Sequence, residues 1–129
     1  MTPSVRATTL RLPVLLAGLI VATAPGLAQA QAASSTGARL FNLQCKTCHG
    51  DKSPPAGPAL TGVAGAPIAG RSDFNYSAGL KTKGGTWTDA ALDAYLAKPM
   101  AFAPGTRMMV AVPDANNRAA IVAYMKTLK

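Results

Sequence analysis

The chain has 129 residues, room for one small domain, and carries thirteen Lys and Arg against five acidic residues, a net charge of +8. That charge is spread without a basic run or a nucleic-acid recognition motif, which argues against nucleic-acid binding. Two Cys and one His in the whole chain are too few for a four-ligand structural zinc site.

In chain order, residues 1–30 have the pattern of a cleaved secretory signal peptide. Arg6 and Arg11 give the positive start, Leu12 to Ala24 is an apolar run, and Ala28-Gln29-Ala30 fits the small-residue cleavage pattern. The run falls short of the roughly 20 residues that span a bilayer, which disfavours a retained membrane anchor. Export would place residues 31–129 in the periplasm with eleven Lys and Arg against five Asp, a net of +6. A domain of that size struggles to bury a sufficient core unaided and often needs a cofactor, a metal or disulfides.

Thr36 is placed to cap a helix running through Arg39, Leu40, Phe41 and Leu43 toward Cys45. Cys45-Lys46-Thr47-Cys48-His49 then reads as an attachment site for a c-type haem. Thiols three residues apart on a helical turn share one face and reach two vinyl groups on one porphyrin edge. The adjacent imidazole comes under the ring as the proximal ligand. A thioredoxin-like redox pair would need a neighbouring βαβ pattern, and a disulfide across so short a loop would stabilise little.

Asp51 to Pro58 cannot be regular helix, because its three prolines lack amide donors. Ala59 to Gly70 is small and Gly-rich, and Ser72 to Gly85 is polar with Phe74 and Tyr76 as aromatic anchors. Thr86 or Thr88 starts a helix through Ala97, with Leu92, Tyr95 and Leu96 as its apolar stripe and Pro99 as its stop. Met100 to Val112 is irregular. Asp114 then caps a last helix patterned by Ile121, Tyr124, Met125 and Leu128. Three main helices joined by long loops make sense if a flat cofactor sits in the middle.

These landmarks together resemble the class I cytochrome c family. The resemblance covers almost all of residues 31–129. It rests on Cys45 to His49, Gly57-Pro58-Ala59-Leu60, Phe74-Asn75-Tyr76-Ser77, Gly85-Thr86-Trp87 and Pro104-Gly105-Thr106-Arg107-Met108, in that order. It implies an all-α cytochrome c fold around one covalently bound haem c, with Met108 as second axial ligand and Met109 one residue late. It further implies that the Pro58 carbonyl accepts from His49, that Tyr76 and Trp87 donate to a propionate, and that Tyr95 lies near the Met sulfur. Thr106, inside the Met108 motif, joins this cofactor-binding set. Gly37, Phe41, Ile121 and Tyr124 match the packing of first helix on last. Met100 and Met125 are expected to fill core.

Two departures stand out. Ala66 occupies a position where the family often has an Arg near a propionate, with Arg71 five residues on, and Val110 replaces an aromatic after the axial Met. The implied function is a monomeric periplasmic one-electron carrier meeting redox partners with acidic surfaces, not an enzyme. An electron-transfer subunit of a larger dehydrogenase and a peroxidase-like haem enzyme are the alternatives. The positive charge fits either a docking rim that includes Lys46 and Arg107 or plain solubility.

Overall fold

In the computed structural model, residues 25–52 and 56–129 are described, so the apolar run from Leu12 to Ala24 and the Pro54-Pro55 pair lie outside the described residues. Among the described residues five helices follow in order: α1 (Pro25–Gln44), α2 (Ala78–Lys83), α3 (Asp89–Ala97), α4 (Pro99–Phe102) and α5 (Ala115–Met125). Among the described residues the extended pairing is a single bridge, between Pro67 and Thr86.

The caps explain most helix starts. Thr88 accepts from the Ala91 amide at 3.1 Å and opens α3, and Asp114 accepts from the Asn117 amide at 2.7 Å and opens α5. Ser77 does the same for α2 through the Leu80 amide. The expected start at Thr36 is corrected: α1 runs back to Pro25, through the Ala28-Gln29-Ala30 triplet. Ala and Gln are strong helix formers, nothing between Pro25 and Thr36 forces a break, and proline is tolerated in a first helical turn. Pro99 has two effects where one was expected. It ends α3 and, as the first residue of α4, begins another turn of helix.

α1 packs across α5, and α3 packs on α5 and α4. At the first crossing Phe41 meets Tyr124 edge-on, ring centroids 5.3 Å apart. Ile121 beside them is fully buried. A Cβ on Gly37 would overlap the main-chain carbonyl of Ala120, so this glycine sets how closely the two helices approach. In an open helix, Gly→Ala would gain roughly 1 kcal/mol. Here overpacking against backbone should outweigh it, and Gly37→Ala is expected to be destabilising by about 1–3 kcal/mol. A thermal melt of the holoprotein checks the sign; a raised midpoint would mean that the crossing has slack.

The chain between helices folds inward. Loop 59–70 is stitched to 85–87 by Gly65 N–H to Trp87 O (2.9 Å), Trp87 N–H to Ala66 O (2.8 Å) and Ile68 N–H to Gly85 O (2.9 Å). Gly62 N–H reaches the Leu128 carbonyl at 3.0 Å. Met125 is buried as expected, but Met100 is half exposed, because it lies on the outer side of the single turn α4. Leu43, on the outer face of α1, is likewise exposed.

Candidate haem site

A cavity of about 490 Å³ lies where the loops converge, walled by residues from every helix except α4 and by the segments 56–67, 71–77 and 106–112. That volume is within the roughly 300–1,000 Å³ of small-molecule and cofactor sites. The turn that follows α1 brings Cys45, Cys48 and His49 to its wall. Cys45 N–H and Lys46 N–H bond the Phe41 carbonyl, and His49 N–H bonds the Cys45 carbonyl at 2.9 Å. Cys45 is buried and Cys48 exposed, and no disulfide joins them. Burial, with a smaller contribution from Cys48, pushes the Cys45 thiol up to about 11, so before it is joined to haem it is a protonated thiol at neutral pH.

His49 Nδ1 lies 2.7 Å from the Pro58 carbonyl. A carbonyl only accepts, so Nδ1 carries the proton and Nε2 keeps its lone pair. Burial lowers the imidazole's proton affinity below its ordinary 6.5, partly opposed by the Pro58 bond. The ring is therefore a neutral donor with one nitrogen spoken for and the other available to a metal.

Met108 and Met109 both border the cavity, but their surroundings differ. Met108 is partly buried and packs against the hydrophobic core; Met109 is 82% exposed. The Met108 amide donates to Thr106 Oγ1 at 3.3 Å, and that hydroxyl, itself buried, shares a 2.6 Å hydrogen bond with the Tyr95 hydroxyl. Burial raises the Tyr95 pKa, with the Thr106 bond acting against it, so Tyr95 remains a neutral phenol. α3 thus reaches the Met108 loop through Tyr95 and Thr106.

The remaining sequence-predicted residues come together too. Pro58, Tyr76 and Trp87 line the cavity, Trp87 buried and tilted on Tyr95 with ring centroids 5.1 Å apart. Arg71 also borders it, yet its guanidinium is engaged by Asp73 at 2.9 Å through both Nε and Nη2. It therefore reaches the cavity already paired. Phe102 was missed by sequence reasoning; it stacks behind Trp87 at 5.7 Å with planes 17° apart.

Two thiols on one turn, a neutral imidazole with a free Nε2 and a thioether on one apolar cavity fit an iron porphyrin better than any ion these side chains would hold alone. The family model for cytochrome c matches residues 34–129. The chain is 40% identical over 88 residues to cytochrome c2 of Rhodomicrobium vannielii, covering 65% of this chain and 70% of that protein. It is 42% identical over 97 residues to a cytochrome c-type cyt cy of Rhodobacter capsulatus, covering 74% of this chain but 49% of that one. It thus spans about half the length of the latter relative. The solved structure of cytochrome cH from Methylobacterium extorquens superposes with a TM-score of 0.67 at 36% identity, covering 73% of this chain and 97% of that one.

Fold and site together define a small all-α haem protein of the cytochrome c class. The chain belongs to the cytochrome c family, a family of small electron carriers, and its cofactor is one covalently bound haem c.

Proposed function

We propose that the chain is a periplasmic one-electron carrier whose haem is tethered through Cys45 and Cys48 and ligated axially by His49 Nε2 and Met108 Sδ. The observation that carries this reading is the pairing of a His49 ring fixed by Pro58 with a half-buried Met108 on the wall of one cavity. The bound haem supplies a one-electron Fe(III)/Fe(II) couple. The chain's residues set its potential and its access. His49 gives a neutral nitrogen without releasing a proton. The Met108 thioether favours the reduced iron and raises the potential, and Tyr95 with Thr106 holds its main chain. Tyr76 and Trp87 offer donors to propionates, which would otherwise be costly to bury. With His49 and Met108 both on the iron, no coordination position would be left for a substrate.

Export rests on the residue 1–30 pattern, with cleavage near Gln31 inside what is helix in the uncleaved chain. The test is the intact mass and optical spectrum of purified periplasmic holoprotein. The expected mass is that of residues 31–129 plus one haem, with a far-red sulfur-to-iron band in the oxidised state. Rapid CO binding by the reduced protein at neutral pH would overturn the closed-iron reading.

The partner is expected to present an acidic surface. Arg107, at the cavity mouth, bonds the neutral main-chain carbonyl of Asn75 and lies 5.2 Å from the Phe74 ring, and Lys81 bonds the Asn75 side chain at 3.1 Å. Such exposed charges are screened over about 8 Å at physiological salt. The bimolecular transfer rate to an acidic acceptor should therefore fall steeply between about 10 mM and 200 mM salt. A flat profile would reduce the basic rim to a solubility feature.

A further inference from the structure

We infer that Arg118, in α5, is a positioning residue that holds the far end of the loop bearing Met108; the inference rests on the axial role proposed above for Met108. Its guanidinium makes a three-way tie. Nε donates to Asp93 Oδ1 of α3 at 2.6 Å, while Nη1 donates to the Val112 carbonyl at 3.1 Å and the Pro113 carbonyl at 2.7 Å. The side chain is only 13% exposed. A cation in the opening turns of a helix gains nothing from the backbone dipole, and burying one is costly unless it is fully bonded. The contacts, not the helix, account for an arginine here.

The loop needs such a tie. From Met108 to Pro113 the main chain bonds the rest of the fold at few points: Met108 N–H to Thr106 Oγ1, Val112 N–H to the Leu96 carbonyl at 2.8 Å, and the two carbonyls that Arg118 takes. Tyr95 and Thr106 secure the near end, and Arg118 with Leu96 secures the far end. Met108 is suspended between them. Asp93 lies two residues before Tyr95 on α3, so the helix that steadies one end of the loop also braces the other.

A second ion pair provides the control. Lys126 Nζ and Asp89 Oδ2, 2.8 Å apart, also join the two helices, but from the C-cap of α5, through exposed side chains and without a hydrogen bond to the loop. In Arg118→Leu holoprotein, ferric imidazole affinity should rise about tenfold or more, as expected for lost charge-assisted hydrogen bonds that hold Met108 in place. Hydrogen exchange at the Val112 amide should quicken. Lys126→Ala should change neither. Where Arg118→Leu yields no holoprotein, Arg118→Lys is read the same way, since an ammonium cannot span Asp93 and two carbonyls at once. Wild-type affinity in the Arg118 variant, or an equal rise in both variants, overturns the inference while leaving the axial reading intact. A wild-type protein lacking the far-red band overturns the axial reading first, and this one with it.

Discussion

Met108→Ala is expected to abolish the far-red sulfur-to-iron band, lower the reduction potential and admit CO to the reduced protein, while Met109→Ala leaves all three unchanged. The two methionines are adjacent, so the contrast isolates orientation from composition. Both border the cavity, but Met108 packs against the core while Met109 is 82% exposed. The direction of the potential shift follows from ligand chemistry. A neutral thioether favours the reduced iron, so its loss favours the oxidised form. Axial ligands set potentials over roughly 0.8 V, and a drop on the order of 0.1 V or more is expected. Protein-film voltammetry beside the optical spectrum reads both effects. If the Met109 variant lost the band and the Met108 variant kept it, the ligand assignment would be reversed.

The sequence carried the site further than it carried the helices. Cys45, Cys48 and His49 were singled out by their C-x-x-C-H spacing, and the structure brings all three to the wall of one cavity. Helices α3 and α5 were legible through cap candidates, Thr86 or Thr88 for the first and Asp114 for the second; the structure uses Thr88 and Asp114. The short ones were not. α2 has six residues and α4 four, too few for periodicity to register, and Pro99 signals a stop as strongly as a start. α1 began earlier than expected because Thr36 was read as a cap when nothing upstream prevented the helix from continuing. Arg118 was invisible for a different reason. Its partners, Asp93 and the carbonyls of Val112 and Pro113, belong to segments that only the tertiary fold brings together. Arg71 shows the same gap: sequence put it within reach of the position left by Ala66, and the structure binds it to Asp73.

Gly57→Ala should raise the pH at which acid releases His49 from the iron by about one unit or more. Gly57 is buried against the proximal ring. A Cβ there would stand 2.8 Å from His49 Cε1, 2.9 Å from Nδ1 and 2.9 Å from the Cys48 carbonyl oxygen. With haem tethered through the adjacent Cys48 as proposed, the ring could not retreat, so segment 57–58 would have to. Retreat lengthens the 2.7 Å Nδ1–H to Pro58 bond and leaves the ring poorly oriented. Loss of an outer contact of this kind typically weakens ligation tenfold to a hundredfold, which in a one-proton competition equals about one to two pH units. A smaller effect opposes it. The Pro58 bond raises the proton affinity of His49, against the larger lowering by burial, so losing that bond makes the ring slightly harder to protonate. One backbone hydrogen bond is worth about 1 kcal/mol net, less than the expected loss of ligation, so the transition moves upward. An acid titration of the haem spectrum decides it. An unchanged midpoint at normal haem content would show that the loop yields without disturbing the ring, and that Gly57 is required for some other reason.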